Sequence, residues 1–227
     1  MVDRRRFLLS TVRAVAAATA LAPATTVHTA TKPGAYTPTF FSSVEWRFLL
    51  AAVERLIPSG GEGPGGIETG VPEFIDRQME LPYGHGSYWY MHGPFAENAP
   101  PAFGYQLKFP PRDIYRVGVG AVNEVCMKTL GKPFADLDGE HQDTVLRSLE
   151  QGTFPLKELP GRAFFEQLLT NTREGYFADP QYGGNRDMAS WKWIGFPGAR
   201  ADFTDWIDQA GKTYPYGPVS ISGRSLS

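Results

Sequence analysis

The chain of 227 residues has a single cysteine, Cys126. That excludes an internal disulfide, a CxxCH haem attachment and an iron–sulfur cluster held by this chain alone. An excess of positive charge is also missing: 22 basic residues face 24 acidic ones, a formal net charge of −2. Nucleic acid and anionic lipid are both recruited by basic patches. No nucleic-acid partner is therefore expected, and membrane contact is expected only through other proteins. No apolar run is long enough to span a bilayer. The G-x-x-x-x-G-K-[ST] phosphate loop and the G-x-S-x-G nucleophile elbow are absent. Gly61-Glu62-Gly63-Pro64-Gly65-Gly66 matches G-x-G-x-x-G by letters. A dinucleotide site needs that loop between a strand and a helix, whereas a helical pattern ending at Pro58 precedes this one, so it reads as a flexible connection. Beyond residue 30 the histidines are His85, His92 and His141, without HxxxH spacing or a neighbouring cysteine, and they read as ordinary loop and surface side chains rather than metal ligands. No residue is assigned a catalytic, cofactor-binding or metal-ligating role.

What is present begins at the N-terminus. Asp3-Arg4-Arg5-Arg6-Phe7-Leu8-Leu9 carries the twin-arginine export pattern in Arg4, Arg5, Phe7 and Leu8. An Ala-rich stretch, Ala14 to Ala24, follows, and Ala22-Pro23-Ala24 offers small residues at Ala22 and Ala24 for signal cleavage. Residues 1–30 are read as a twin-arginine signal peptide and 31–227 as the mature domain, located in the periplasm. That route carries folded proteins, often around a cofactor. The chain therefore either holds a cofactor or travels with a partner that does, and the missing cofactor motifs favour the partner.

The mature chain reads as all-α: a single compact helical domain with long, irregular, aromatic-rich loops. Residues 31–41 form a short extended leader. Ser42-Ser43-Val44-Glu45 is a capping box, followed by Trp46, Leu49, Leu50, Val53, Leu56 and Ile57 on one helical face, with Pro58 as the stop. Thr69 is placed to cap a second helix from Pro72 carrying Phe74, Ile75, Gln78 and Met79. A third starts near Pro111, buries Ile114, Val117, Gly118, Ala121 and Val125, and ends at Gly131. Cys126 flanks that face, which suggests a buried thiol; an intersubunit disulfide is the alternative in an oxidising compartment. A fourth helix covers 138–149 and a fifth 161–177, burying Phe164, Phe165, Leu168 and Leu169. After Asp179-Pro180 the chain is mostly loop, with a possible short helix at 202–210.

Residues 83–109 and 176–196 concentrate tyrosine, tryptophan and phenylalanine in irregular segments. Long irregular loops in compact domains are usually functional, and Tyr and Trp dominate binding hot spots. Some rings should cap the core and others face a partner. Candidate partner-facing residues are Tyr176, Tyr182, Asn185, Trp191, Trp193 and Phe196.

The run from Thr172 to Met188, containing Tyr182-Gly-Gly-Asn185, and the following Trp191-Lys-Trp-Ile-Gly-Phe-Pro-Gly198 resemble the small subunit of membrane-bound gluconate 2-dehydrogenase, the subunit 3 family. The similarity extends back through Glu54–Pro58, Gly70–Asp76, Gly93–Phe95 and Gly104–Leu107. The family also includes small subunits of flavin-dependent fructose, sorbitol and glucose dehydrogenases. The resemblance implies a large FAD-containing dehydrogenase subunit as partner, and a cytochrome c subunit that passes electrons to quinone. FAD and haem c would sit in those partners, with no cofactor in this chain. The small subunit would be non-catalytic, stabilise the flavoprotein and supply the export signal for both. Two other classes compete: a free-standing periplasmic enzyme using His85, His92 and acids such as Glu97, and a periplasmic sugar-binding module built on the aromatic loops.

Overall fold

A buried carboxylate ties the start of the helical domain to its core. Asp76, wholly inaccessible to solvent, accepts hydrogen bonds from Thr39 N (2.8 Å), Thr39 Oγ1 (3.0 Å), Phe40 N (3.1 Å) and Phe41 N (3.0 Å). It pins the extended leader and carries Phe40 and Phe41 into the core. The computed structural model describes residues 36–96 and 99–223. Residues from Thr37 onward form one compact unit. The export signal (Arg4, Arg5, Phe7, Leu8), the cleavage residues Ala22 and Ala24, and Glu97 lie outside the described residues.

Among the described residues six α-helices follow in order: α1 (Ser43–Leu56), α2 (Val71–Glu80), α3 (Pro111–Leu130), α4 (Gly139–Glu150), α5 (Gly161–Phe177) and α6 (Ala189–Ile194). Among the described residues there is no strand, only an isolated parallel bridge between Gly198 and Val219, so the fold is all-α. No helix among these residues is long and apolar enough to cross a membrane. α5 is the hub, packing against α1, α2, α3, α4 and α6. Gly118 of α3 makes one of these approaches possible, because a Cβ there would lie 2.3 Å from the Phe164 ring.

Local chemistry set the helix ends where the sequence placed them. Ser42 and Glu45 form both halves of the capping box. Asp138 caps α4 through His141 N. Gly131, at φ 74°, ends α3 in the left-handed conformation that glycine adopts without a Cβ penalty. Thr69 behaves otherwise. It is buried, and its hydroxyl donates backwards to the carbonyls of Gly65 and Gly66, while Gly70 occupies the N-cap of α2 in the left-handed region.

The faces differ from expectation more than the ends do. α1 centres its burial on Phe48, Leu49, Ala52 and Val53, with Trp46, Leu50, Leu56 and Ile57 half-buried. Phe48 is drawn inward by the rings of Phe134 at 4.6 Å and Phe164 at 5.9 Å. α3 is rotated from the face read in sequence. Tyr115, Val119, Val122 and Cys126 join Ile114 and Gly118 inside, while Val117, Ala121 and Val125 are half-buried beside Pro155 and Leu156. Tyr115 belongs inside because its hydroxyl has a partner, the side-chain oxygen of Asn171 at 3.1 Å. Cys126 is fully buried and unpaired, and burial pushes its thiol up to about 11. A partner's thiol could reach it only after local opening.

Two further expectations are corrected, one in the tail and one in the glycine-rich loop. Residues 202–210 form no α-helix, only a 3-10 turn at Thr204–Trp206, and Phe203 and Ile207 stay exposed. There Tyr214 gathers Phe203 and Trp206, each with ring centroids at 5.5 Å, and Arg200 lies over it. The glycine-rich loop after Pro58 is exposed over residues 59–62 but closely packed from Gly63 to Gly66. A Cβ on Gly65 would lie 2.5 Å from Ser59 Oγ, one on Gly66 2.6 Å from Val53, and one on Gly63 2.7 Å from the Trp193 ring. The loop joins two helices and its close approaches are to protein, so it does not fit a pyrophosphate cradle.

Candidate functional site

The last turn of any α-helix leaves carbonyls without intrahelical partners. In α5 the segment after it supplies them from side chains. Ser190 Oγ donates to Tyr176 O, Trp191 Nε1 to Phe177 O (2.9 Å) and Asn185 Nδ2 to Ala178 O (3.0 Å). Asn185 Oδ1 in turn accepts from Ser190 N (3.0 Å) and lies 2.6 Å from Ser190 Oγ, whose one hydrogen it shares with Tyr176 O. To deliver these groups the chain turns through left-handed backbone at Asn185 (φ 42°), Asp187 (φ 58°) and Met188 (φ 54°). Apart from glycine, it is chiefly asparagine and aspartate that adopt that region at modest cost, so Met188 is strained and held by its burial. The Gly-Gly-Asn run and the Ser-Trp pair downstream are one C-capping device.

Gly184 lets this device close. A Cβ there would stand 2.1 Å from Gly175 O, a backbone atom that cannot swing aside. Gly184→Ala is expected to lower the unfolding free energy by about 3 kcal/mol, the upper end for overpacking. Urea unfolding measures it, and a change below about 0.5 kcal/mol would contradict the contact. Asp179 anchors the tail to the same corner by accepting from Ser220 Oγ (2.7 Å), Ile221 N (2.7 Å) and Gln181 N (3.1 Å). Burial raises its pKa, but the bonds from Ile221, Ser220 and Gln181 outweigh burial and hold the carboxyl below the usual carboxylate value. Arg186 ties the corner to α2 through an ion pair with Glu73 and a backbone bond to Thr69 O.

The six candidate residues therefore do not share one surface. Tyr176, Asn185 and Trp191 are buried and bonded within this chain. Tyr182, Trp193 and Phe196 are exposed at 49%, 52% and 44%. Two neighbours not singled out from the sequence, Phe177 at 44% and Ile194 at 50%, join them. Helical spacing held the signal for Phe177. The buried stripe of α5 runs through Leu168, Asn171, Thr172, Gly175 and Tyr176, which leaves position 177 outside.

Two open grooves flank Phe177. One, of about 450 Å³, runs between Leu56–Pro58, the glycine-rich loop, Leu169–Tyr176 and Trp193. The other, of about 580 Å³, is bounded by Phe74, Gln78, Tyr83, Glu174 and Tyr182. Thr172 lines the first, and its buried Oγ1 finds no hydrogen-bond partner among the described residues. Thr172→Val removes that unsatisfied hydroxyl at nearly constant shape, so stability should rise by about 1 kcal/mol. A comparable loss in the melt would show that the hydroxyl is partnered.

The aromatic segment 83–109 is part scaffold and part surface. Trp89 sits between Tyr83 (6.1 Å) and Tyr105 (4.7 Å), while Tyr88, Tyr90 and Phe103 are exposed. His85 lies against the Arg112 guanidinium and His92 against the Tyr90 ring. Among the described residues no three of His, Cys, Asp and Glu are grouped to hold a metal ion.

Comparison with known proteins adds one finding. No curated protein and no solved structure matches the chain. The family model described as gluconate 2-dehydrogenase subunit 3 matches residues 43–198, about two-thirds of the chain, from the start of α1 through the capping device. The chain belongs to the gluconate 2-dehydrogenase subunit 3 family, whose members are accessory subunits.

Proposed function

We propose that this chain is the non-catalytic small subunit of a membrane-bound, flavin-dependent gluconate 2-dehydrogenase. In this reading an FAD-bearing large subunit oxidises D-gluconate to 2-keto-D-gluconate. A cytochrome c subunit carrying haem c passes the electrons to quinone. The small subunit binds and stabilises the flavoprotein and escorts it through the twin-arginine route, so that the complex works at the periplasmic face of the inner membrane. The observation that carries the reading is the family match across residues 43–198. Arg4, Arg5, Phe7 and Leu8 support the escort role, and the long Gly93–Leu107 segment resembles the gluconate branch more than the shorter fructose or glucose ones.

The test replaces Arg4 and Arg5 together with lysine in the native host and assays gluconate-dependent dye reduction in washed membranes. Loss of most of that activity, with the flavoprotein retained in the cytoplasm, is the expected result. Full activity in the variant's membranes would refute the escort role.

A further inference from the structure

A hydrogen-bond chain beneath the larger groove fixes the direction of one hydroxyl proton, that of the half-buried Tyr83 in its lining. Glu174 Oε2 accepts from Asn171 Nδ2 (2.9 Å), which orients that amide. Asn171 Oδ1 then accepts from Tyr115 OH (3.1 Å) and Gln167 Nε2 (2.7 Å), which orients the second amide. Both amides donate to one atom, the Tyr83 hydroxyl oxygen, at 2.7 Å from Gln167 and 2.8 Å from Asn171. A phenol oxygen has two acceptor positions, and both are filled. Its own hydrogen has no acceptor among the described residues. Burial raises the Tyr83 pKa above its ordinary value, so the hydroxyl keeps that hydrogen at neutral pH. Tyr83 is an obligate donor at the wall of the groove.

The rest of the groove narrows what can meet that donor. Glu174 is exposed, and no Lys or Arg among the described residues pairs with it. It repels an anionic ligand and favours a cationic side chain. Phe177 and Tyr182 stand exposed at the rim, and Phe177 continues the apolar surface into the second groove towards Trp193. The groove is wide open to solvent, so a single sugar ring would leave much of its surface in water, whereas an extended chain could follow both grooves.

We propose that an extended segment of the flavoprotein subunit docks along these grooves. A backbone carbonyl of that segment accepts from Tyr83, a Lys or Arg pairs with Glu174, and an apolar side chain packs on Phe177. The proposal rests on the accessory-subunit reading above and names the surface that reading requires.

The experiment uses the full-length chain, tagged at its C-terminus and expressed in the native host. Variants Phe177→Ser, Glu174→Gln and Tyr83→Phe are compared for retention of a flavin-bearing chain, read by flavin absorbance and mass. A photo-crosslinking residue at Tyr182 is compared with one at exposed Met127, which lines neither groove. The two polar variants should each weaken retention roughly tenfold, the upper scale of one ordinary hydrogen bond, and Phe177→Ser by more. Crosslinks to the flavin-bearing chain should form from position 182 and not from 127. Because Tyr83→Phe strands two amide donors, its melting curve is recorded; Glu174→Gln, which keeps the Asn171 acceptor, decides if that variant unfolds. If wild-type protein retains no flavin-bearing chain, the accessory-subunit reading fails. If it does, and Phe177→Ser and Glu174→Gln retain as much, the docking surface is wrong and the reading stands. Saturable binding of D-glucose or D-gluconate by the isolated chain, lost in Tyr83→Phe, would replace the peptide with a sugar.

Discussion

Asp76→Ala is expected to lower the unfolding free energy by roughly 4–6 kcal/mol, because it strands two buried donors at about 1–3 kcal/mol each, releases two part-buried ones and opens a cavity beneath them. The donors are the backbone N–H groups of Thr39, Phe40 and Phe41, with the Thr39 hydroxyl as a fourth. Typical domains are stable by about 5–15 kcal/mol in total, so this single change approaches the whole margin. Soluble yield and urea unfolding both report it. Asp76→Asn keeps one acceptor oxygen but aims an amide N–H₂ at two of the donors, so it should fall between wild type and alanine. Retention of Phe40 and Phe41 in the core should fail first, seen as faster proteolysis near residues 37–42 under native conditions. A loss below about 1 kcal/mol in Asp76→Ala would show that the leader is held by its rings alone.

Asn185→Ala is expected to cost about 3–5 kcal/mol, since it leaves Ala178 O and Ser190 N without partners and forces alanine into left-handed backbone. In a chain of this size that corresponds to a fall in Tm of roughly 10 °C or more. Two companion variants separate the causes. Asn185→Gly relieves the backbone but not the lost bonds, and should recover only about 1 kcal/mol of the deficit. Asn185→Asp keeps the acceptor for Ser190 and loses the donor to Ala178 O, so its defect should be smaller than that of alanine. Equal stability of the alanine and glycine variants would show that the left-handed turn costs nothing at this position.

Helix ends were legible in the sequence because caps are local. Ser42 with Glu45, Asp138, and Gly131 each act within four residues of the end they define. Helix faces were less legible, because burial depends on what arrives from elsewhere. Phe48 is inside because Phe134 and Phe164 meet it, and Tyr115 because Asn171, 56 positions away, accepts its proton. The sequence marked Tyr182–Asn185 and Trp191 as a unit. It did not show that their partners are the carbonyls of Tyr176, Phe177 and Ala178, since an α-helix pattern does not announce which end groups water will leave unsatisfied. The same limit split the candidate surface: Asn185 and Trp191 went inward to finish α5, and the rings they released, Trp193 and Phe196, stayed outside with Phe177 and Ile194.

The most direct test of the central claim is purification of the tagged chain from gently solubilised membranes of its native host, with an absorbance spectrum and intact masses of the eluate. The account predicts a stoichiometric flavin-bearing chain, a haem c spectrum from a third subunit, and gluconate-dependent reduction of that haem. A stable, colourless, single chain of 25.0 kDa or less would contradict it.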